Sequence, residues 1–245
     1  MMIYDYLLSA MQEGKKLLAI LLDPDKLDHN RLADLMLKIN DSAVNVILVG
    51  GSSVPENATA DLVLRIRKKT SLPIVLFPGN FEQITAHADG VLFLSLISGR
   101  NPEYLINQQV KAVPHIQKTD LEIIPTGYIL IDGGKETAVQ KISGTKPLSS
   151  QDIGHITQTA VAGMYMGNKV IYLEAGSGAF NPVLPKVIKS VKTNISIPLI
   201  VGGGIRSERE LQEAYDNGAD LVVIGTAFEE NSDLLINFTK NEHIH

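Results

Sequence analysis

Eight short aliphatic runs recur along the chain, and each is followed by a cluster of Gly, Pro, Asp or Ser residues and then by a stretch of helical periodicity. The runs are continuous rather than alternating, a pattern typical of parallel strands that are buried on both faces. They span residues 17–22, 44–49, 74–77, 91–94, 122–124 continuing to 128–131, 170–173, 198–201 and 221–224. Eight strands that alternate with helices in 245 residues predict an α/β fold of the (β/α)8 type, the TIM barrel.

Helical periodicity fills the segments between these runs. Capping signals mark three of the helix starts, at Asn101, Asn181 and Ser207. The segment 80–88 is short, which predicts an irregular or missing third helix. We expect residues 1–14 to form a leading helix outside the barrel. The other predicted helices span 29–40, 55–70, 102–119, 149–166, 182–192, 207–217 and 228–240.

A doubly wound open sheet is the alternative architecture. It usually has fewer strands and carries its glycine fingerprint near the N-terminus, whereas the glycines here cluster late in the chain. No proline-rich linker, low-complexity tract or break in composition divides the sequence. We therefore expect residues 1–245 to form a single domain.

Composition excludes several classes of function. The 22 Lys and Arg residues are outnumbered by 27 Asp and Glu residues, and the net charge of −5 argues against a nucleic-acid partner. With no cysteine, the chain has no disulfide, no thiolate catalysis and no cysteine-ligated zinc. The first residues are too polar and acidic for a signal peptide, and no apolar run approaches the ~18 residues of a membrane span. We therefore expect a cytoplasmic protein without stable membrane insertion.

Two glycine clusters follow the last two predicted strands. Gly202, Gly203 and Gly204 follow the seventh strand, and Gly225 and Thr226 follow the eighth. Barrels of this type place their active sites at the carboxyl ends of the strands and often bind phosphate after these two, where backbone N–H groups converge on the anion. The clusters therefore predict a phosphate site, although glycines also serve simply to make tight turns.

The sixth strand ends in a segment that extends this site, Tyr172 to Gly178. Its glycines and Ser177 add to the phosphate cradle. Glu174 places a carboxylate close to the bound phosphate, an arrangement that repulsion between like charges opposes. We therefore expect Glu174 to bind a hydroxyl group of the ligand or to accept the proton of that hydroxyl. The alternative is a structural hydrogen bond from Glu174 to a neighbouring loop.

The first strand ends in two acidic residues, Asp23 and Asp25, two positions apart. Mg²⁺ usually takes one or two carboxylates and leaves its other positions to phosphate and water. Ser52, after the neighbouring second strand, adds a hydroxyl oxygen. A magnesium site is one interpretation; a helix start capped by Asp25 or Asp28, with Ser52 capping the next helix, is the other.

With these motifs in place, the chain resembles the geranylgeranylglyceryl phosphate synthase family, which includes the bacterial PcrB proteins. The resemblance covers nearly the whole chain, and its most specific motif is YLEAGSG followed by GGGIRS and GTA. The matching segments are LLDPDK at 21–26, VGGSS at 49–53, LFPGN at 76–80, SLISGRNPEYLI at 95–106, PTGYILIDGG at 125–134, YLEAGSGA at 172–179, VGGGIRS at 201–207 and VIGTA at 223–227.

The resemblance implies a Mg²⁺-dependent prenyltransferase that attaches the C3 hydroxyl of sn-glycerol 1-phosphate to a polyprenyl diphosphate, most simply geranylgeranyl diphosphate, and releases diphosphate. Asp23 and Ser52 match the family's Mg²⁺ positions. One position departs from the PcrB-type members, which carry a lysine where this chain has Leu21, and this places the chain nearer the archaeal-like and Bacteroidetes-like branch. The family's glycerol phosphate site matches Tyr172, Leu173, Glu174, Ala175, Gly176, Ser177, Gly178, Gly203, Gly204, Gly225 and Thr226.

On this basis we hypothesise that Glu174 orients the attacking hydroxyl and accepts its proton. Tyr172 places the glycerol or stabilises positive charge through its ring face. Phe77, Tyr104 and the segment 95–98 are candidates for an apolar groove that binds the prenyl chain, or else ordinary core. A homo-oligomer, dimer or hexamer, is expected. Two alternatives stay open: another barrel enzyme acting on a phosphorylated sugar, and a non-catalytic barrel that only binds a phosphorylated ligand.

Overall fold

Eight parallel strands close into a barrel in a computed structural model, which describes residues 2–28 and 30–225. Each strand pairs with the next along the chain, and the eighth pairs with the first. The predicted (β/α)8 fold is confirmed. The strands are β1 Leu17–Leu22, β2 Val44–Val49, β3 Ile74–Leu76, β4 Gly90–Leu96, β5 Glu122–Leu130, β6 Val170–Glu174, β7 Leu199–Gly202 and β8 Leu221–Ile224.

The strands are buried on both faces, as their continuous apolar runs predict. Every residue of β6, β7 and β8 is buried. Strand β5 runs without interruption through Pro125, which the sequence places in a gap between two shorter runs. The proline lacks an N–H, but its carbonyl still accepts from the Lys169 backbone N–H at 2.8 Å, so the ladder to the next strand continues across it.

The helices lie close to the predicted segments, with shorter bounds. Ser207 caps the helix Glu208–Asp216, as predicted, because its hydroxyl accepts from the Glu210 backbone N–H at 3.3 Å. The predicted helix 228–240 and Thr226 lie outside the described residues. The described helices are α1 Ile3–Gln12, α2 Leu32–Asp41, α3 Ala58–Arg67, α4 Gln108–Ile116, α5 Ala138–Ser143, α6 Ile153–Tyr165, α7 Pro185–Asn194 and α8 Glu208–Asp216.

Two connections differ from regular helices, and a third contains a helix that the sequence does not predict. After β3 the chain makes only a 3₁₀ turn, Phe81–Gln83, which confirms the irregular third helix. The predicted helix 102–119 begins with a π-helical turn, Glu103–Asn107, before α4. The sequence does not predict α5 as a helix, although Thr137 and Gln140 form a recognisable N-terminal signal: the Thr137 hydroxyl accepts from the Gln140 backbone N–H at 3.2 Å.

The helix start predicted at Asn181 is wrong, since α7 begins at Pro185. The backbone N–H groups of Phe180 and Asn181 both donate to the Gly133 carbonyl at 3.0 Å. This pairing holds the segment in a loop against the loop after β5. The helix instead uses the later proline at its first position, where a missing N–H costs nothing.

Helix α1 covers the amino end of the barrel. Its Ile3, Leu7 and Ala10 side chains are buried in the cluster that fills the barrel interior. The Glu122 carboxylate accepts from the backbone N–H groups of Ile3 and Tyr4, the latter at 2.9 Å. These contacts leave the opposite, carboxyl end of the barrel as the open end. Between residues 2 and 225, leaving out residue 29, no helix has the length and apolar character needed to cross a membrane.

Candidate active site

A pocket of about 480 Å³ opens at the carboxyl end of the barrel. It is lined by residues from the loops after β1, β2, β3, β6, β7 and β8, so the segments singled out in the sequence converge on one cavity. The structure therefore brings the candidate phosphate, hydroxyl and metal positions together. Of the predicted site residues, those lining the pocket are Asp23, Ser52, Tyr172, Glu174, Ser177, Gly178, Gly203, Gly204 and Gly225.

Leu173 and Ala175 face the other way. Side chains alternate along a strand, and these two are buried in the layer between the barrel and its outer helices. Gly176 lies in the same loop and contributes its backbone N–H to the site. At positions 173 and 175 only the backbone is therefore available to a ligand in the pocket.

Glu174, the last residue of β6, is the central ionisable group of the pocket. It is 6% exposed, and its Oε1 accepts from the Gly176 backbone N–H at 2.7 Å. Burial raises the pKa of Glu174 to about 7. The Gly176 amide and the nearby Tyr172 hydroxyl lower this pKa, but they offset only part of the effect of burial. A carboxyl with this pKa exchanges protons near neutral pH, as a general base must. Glu174 therefore also makes a structural hydrogen bond, but within its own loop rather than to the neighbouring loop considered from the sequence.

Tyr172 is fully buried beside two other aromatic rings. Its ring stacks on Phe77 at 5.2 Å between centroids, and Tyr128 meets it edge-on at 5.3 Å. The Tyr172 hydroxyl lies near the Glu174 carboxylate but outside hydrogen-bond geometry, and it has no partner among the residues described. Burial, followed by the charge of Glu174, raises the pKa of Tyr172 well above its usual range, so the group remains a neutral donor. A buried, unsatisfied hydroxyl at the edge of a pocket is a contact point for a ligand.

The loops after β6 and β7 approach so closely that side chains are excluded between them. A Cβ on Gly203 would lie 2.5 Å from the Gly176 backbone nitrogen and would also contact the Glu174 carboxylate. Gly203 and Gly204 have φ angles of 83° and 76°, in the left-handed region that favours glycine. These positions therefore form a tight turn, as the simpler interpretation has it, and also expose backbone to the pocket, as a phosphate site requires.

Asp23, directly after β1, also lines the pocket. It is 8% exposed, accepts from the Asp25 backbone N–H at 3.1 Å, and pairs with the Lys26 ammonium at 3.1 Å. The Ser52 hydroxyl lines the same cavity. Residues 2–28 and 30–225 contain no group of three or more His, Asp or Glu that would enclose a metal by themselves. One carboxylate and one hydroxyl fit a Mg²⁺ that completes its shell with phosphate and water oxygens.

Three cationic residues of the described chain line the pocket, and the sequence analysis proposed none of them as a site residue. Lys26 reaches from the loop after β1 to Ser177, with Nζ 3.3 Å from the Ser177 hydroxyl. Arg206 donates to the Ala179 carbonyl at 2.7 Å, and Lys135 also lines the cavity. The family motifs LLDPDK and VGGGIRS contain Lys26 and Arg206, and these motifs are the signal that could have found them. Lys135 lies just beyond the motif at 125–134 and has no such signal.

The pocket continues from the aromatic cluster into an apolar groove between β4 and α4. Phe77 and Tyr104 line it, as expected from the sequence. Of the segment 95–98, Leu96 lines the groove, whereas Ile97 packs in the outer layer. Other apolar residues of the groove are Phe81, Ile84, Leu92, Leu94, Ala112, Val139 and Ile142.

Comparison with known proteins agrees with this geometry. A family model described as the PcrB family matches residues 11–242. A geranylgeranylglyceryl phosphate synthase of Flavobacterium johnsoniae is 53% identical over 230 residues, covering 94% of this chain and 95% of that protein. One from the archaeon Thermofilum pendens is 37% identical, covering 94% of this chain and 89% of that protein.

Solved structures give the same result. The (S)-3-O-geranylgeranylglyceryl phosphate synthase of Thermoplasma acidophilum, in complex with sn-glycerol-1-phosphate, superposes with a TM-score of 0.90 at 30% identity. The match covers 96% of this chain and 95% of that chain. The wild-type enzyme of Thermoplasma volcanium superposes with a TM-score of 0.89 at 32% identity and full coverage of both chains. The resemblance seen in the sequence is confirmed, and the chain belongs to the PcrB family of barrel proteins.

Proposed function

We propose that this chain is a prenyltransferase that joins the C3 hydroxyl of sn-glycerol 1-phosphate to geranylgeranyl diphosphate, forming geranylgeranylglyceryl phosphate and diphosphate. The observation that carries the proposal is the position of Glu174. Its buried carboxylate lies between the glycine loops on one side and the aromatic cluster and apolar groove on the other. The names of the relatives, and the glycerol phosphate bound to the Thermoplasma acidophilum protein, support the same reaction.

Glycerol 1-phosphate binds with its phosphate against the backbone of the loops after β6, β7 and β8, including Gly178, Gly203, Gly204 and Gly225. Anchoring the phosphate at the far end fixes the C3 hydroxyl near Glu174, which converts a bimolecular encounter into a positioned one. The unpartnered Tyr172 hydroxyl donates a hydrogen bond to a glycerol oxygen.

The reaction forms a bond from the C3 oxygen to the first carbon of the prenyl chain and breaks the bond from that carbon to the diphosphate oxygen. Glu174 accepts the proton that the C3 hydroxyl loses, since its pKa of about 7 leaves much of it charged at neutral pH. The ring faces of Tyr172 and its neighbour Phe77 stabilise the positive charge that develops on the allylic carbon.

Asp23 and Ser52 are the residues that would hold Mg²⁺, because they supply a carboxylate and a hydroxyl oxygen at the same pocket mouth. When bound, the ion neutralises negative charge on the departing diphosphate. The Lys26 ammonium adds positive charge at the same place and links the loop after β1 to Ser177. The prenyl chain extends along the apolar groove towards α4, where Leu92, Leu94 and Ala112 line the wall.

We further propose that the protein is a homo-oligomer, a dimer or a hexamer. Apolar side chains exposed on two of its outer helices support this proposal, because a second copy of the chain would cover them. Val110 and Val113 on α4 are 62% and 42% exposed, and Tyr165 and Met166 at the end of α6 are 81% and 80% exposed. Light scattering coupled to size exclusion measures the state directly; a monomer at micromolar concentration would contradict it.

One assay separates this function from the two alternatives. The full chain is incubated with Mg²⁺, labelled sn-glycerol 1-phosphate and geranylgeranyl diphosphate, and the label is followed into an organic phase. We expect transfer of the label with this enantiomer and much less with labelled sn-glycerol 3-phosphate. Binding of glycerol phosphate without transfer would indicate a non-catalytic barrel. Conversion of a phosphorylated sugar without the prenyl substrate would indicate a different barrel enzyme.

A further inference from the structure

Gln83 is a buried polar residue that the proposed reaction does not use. It ends the 3₁₀ turn after β3 and is 3% exposed. Both ends of its side-chain amide face Gly51: Nε2 donates to the Gly51 carbonyl at 2.8 Å, and the Gly51 backbone N–H donates to Oε1 at 3.4 Å. A side chain that both donates to and accepts from one residue holds that backbone much as a neighbouring strand would. Gln83 therefore fixes the loop that follows β2.

Gly51 in turn lies directly against the Asp23 carboxylate. A Cβ at this position would be 2.5 Å from Asp23 Oδ1 and 2.8 Å from Oδ2. On its other side, the Gly51 carbonyl packs against the α-carbon of Gly79, in the loop after β3. Ser52 is the next residue in the chain, so any displacement of Gly51 changes the separation between the Ser52 hydroxyl and the Asp23 carboxylate.

The short turn that carries Gln83 is itself anchored at its start. The Asn80 side chain accepts from the Glu82 backbone N–H at 3.0 Å, and the Phe81 backbone N–H donates to Gln108 Oε1 at 3.0 Å. The first bond closes the turn on itself, and the second connects it to the first residue of α4. The irregular third connection of the barrel therefore has a structural use, since it directs a buried amide at the loop after β2.

We propose that Gln83 is a positioning residue for the divalent cation, one that holds Asp23 and Ser52 at the separation a bound ion needs without touching ion or substrate. The inference rests on the proposed function, which assigns the cation to those two residues. Removing a partner that orients a metal ligand typically weakens metal affinity by about 10- to 100-fold. The glycerol phosphate loops after β6 and β7 do not contact Gln83, so glycerol phosphate binding should be unaffected.

The test compares Gln83→Met, which is close to isosteric but lacks the amide, with Thr85→Val. Thr85 is a matched control: it is buried in the same segment, its hydroxyl accepts from the His87 backbone N–H, and within the described part of the chain no hydrogen bond joins it to Gly51. The probe is Mn²⁺ titrated into the full chain with inorganic diphosphate, followed by electron paramagnetic resonance. Binding of sn-glycerol 1-phosphate without metal is measured in parallel by calorimetry.

We expect the Mn²⁺ dissociation constant to rise about tenfold or more in Gln83→Met and to stay unchanged in Thr85→Val, with glycerol phosphate affinity unchanged in both. Equal Mn²⁺ affinity in wild type and Gln83→Met would overturn the proposal. So would a Gln83→Met variant that loses affinity for glycerol phosphate as much as for Mn²⁺, or a wild type that binds no Mn²⁺. If circular dichroism shows Gln83→Met to be unfolded, Gln83→Asn, which keeps the amide but withdraws it from Gly51, replaces it with the same expected results. The titration involves no prenyl transfer, so a wild type that binds Mn²⁺ but forms no ether would refute the proposed function alone.

Discussion

Glu174 combines two properties that ordinarily oppose each other: it is buried, and the proposed reaction requires it to carry charge. Strand β6 ends at this residue, and the glycine loops after β6 and β7 exclude water from it. The Gly176 amide supplies one hydrogen bond to the carboxylate, which offsets only part of the cost of burial. The resulting pKa of about 7 suits a group that takes a proton from an alcohol and returns it to solvent.

Replacing this carboxylate by an amide should abolish proton acceptance while keeping the shape. We expect Glu174→Gln to lower kcat at least about 100-fold, a usual contribution of a general base, with an unchanged circular dichroism spectrum. In the wild type, kcat/KM should rise with pH to a plateau, with a midpoint near the Glu174 pKa of about 7. A folded Glu174→Gln variant with near-normal kcat would refute the assignment.

The same pKa predicts how stability depends on pH. The folded-state pKa of Glu174 is raised from 4.5 to about 7, so between these values the folded chain binds a proton that the unfolded chain has lost. Stability should therefore fall as pH rises through this window and level off above it, by roughly 3 kcal/mol in total. Denaturant unfolding of wild type and Glu174→Gln at pH 5 and pH 8 measures it. A difference between the two proteins that does not change with pH would contradict the buried, shifted carboxyl.

Gly51 offers a second test at single-residue resolution. A methyl group there would overlap the Asp23 carboxylate, so Gly51→Ala should lower activity at least about tenfold at limiting Mg²⁺ by displacing the proposed metal ligand. Gly154, exposed near the start of α6, is the matched control, because nothing lies within 4 Å of an added Cβ. Gly154→Ala should keep full activity in steady-state assays. Equal activity of the two variants would argue against the packing described for Gly51.

Among the elements, the strands were the part most accessible from sequence. Runs such as 17–22 and 221–224 match β1 and β8 residue for residue, because burial on both faces leaves a continuous apolar signal. The start of α7 was misplaced because Asn181 pairs with the loop after β5, a contact between segments far apart in sequence. The π-helical turn before α4 likewise follows from packing against neighbouring elements and leaves no periodic pattern.

The candidate site was predictable to the extent that it follows from topology. Parallel strands of a barrel end at one rim, so residues after each run must converge there, and Asp23, Ser52 and Glu174 do line one pocket. The contacts that arrange these groups were not predictable. Gln83 meets Gly51 across 32 residues and Lys26 meets Ser177 across 151 residues, and both depend on side-chain directions that one sequence does not encode locally.

Under the proposed function, the prenyl chain lies in the groove between β4 and α4, so these two elements should set the chain length that the protein accepts. Ala112 of α4 is buried and lines the groove, so a larger side chain there should shorten the space available to the prenyl group. We expect Ala112→Phe to lower kcat/KM for geranylgeranyl diphosphate at least about tenfold relative to farnesyl diphosphate, because each excluded methylene loses about 0.8 kcal/mol of apolar contact. Competition between the two diphosphates measures this ratio. An unchanged ratio would mean that the chain lies elsewhere.

At the scale of the whole molecule, the two ends of the barrel have separate tasks. The amino end is closed by α1, which Glu122 holds through the backbone N–H groups of Ile3 and Tyr4. Glu122→Ala should therefore lower the free energy of unfolding by about 2 kcal/mol, the usual value of hydrogen bonds to a charged acceptor, and leave kcat unchanged. Urea unfolding measures the change in the free energy of unfolding, and the transfer assay measures kcat. A large loss of kcat in folded Glu122→Ala would show that the ends are coupled.

The charge of the molecule adds a further constraint. A chain of net charge −5 repels its two anionic substrates on average, so attraction must be local. The structure places Lys26, Lys135 and Arg206 at the pocket and glycine-rich backbone within it. These groups supply local positive charge and backbone N–H donors beside the acidic side chains that also line the pocket, Asp23, Asp25, Glu136 and Glu174.

The most direct test of this account is the stoichiometry of the reaction. The full chain is given Mg²⁺ and geranylgeranyl diphosphate, with and without sn-glycerol 1-phosphate, and released diphosphate and ether product are quantified together. A single site that holds both substrates predicts equal amounts of diphosphate and geranylgeranylglyceryl phosphate, with diphosphate release depending on the glycerol phosphate. Diphosphate release that proceeds equally without the glycerol phosphate, or the absence of any ether product, would contradict it.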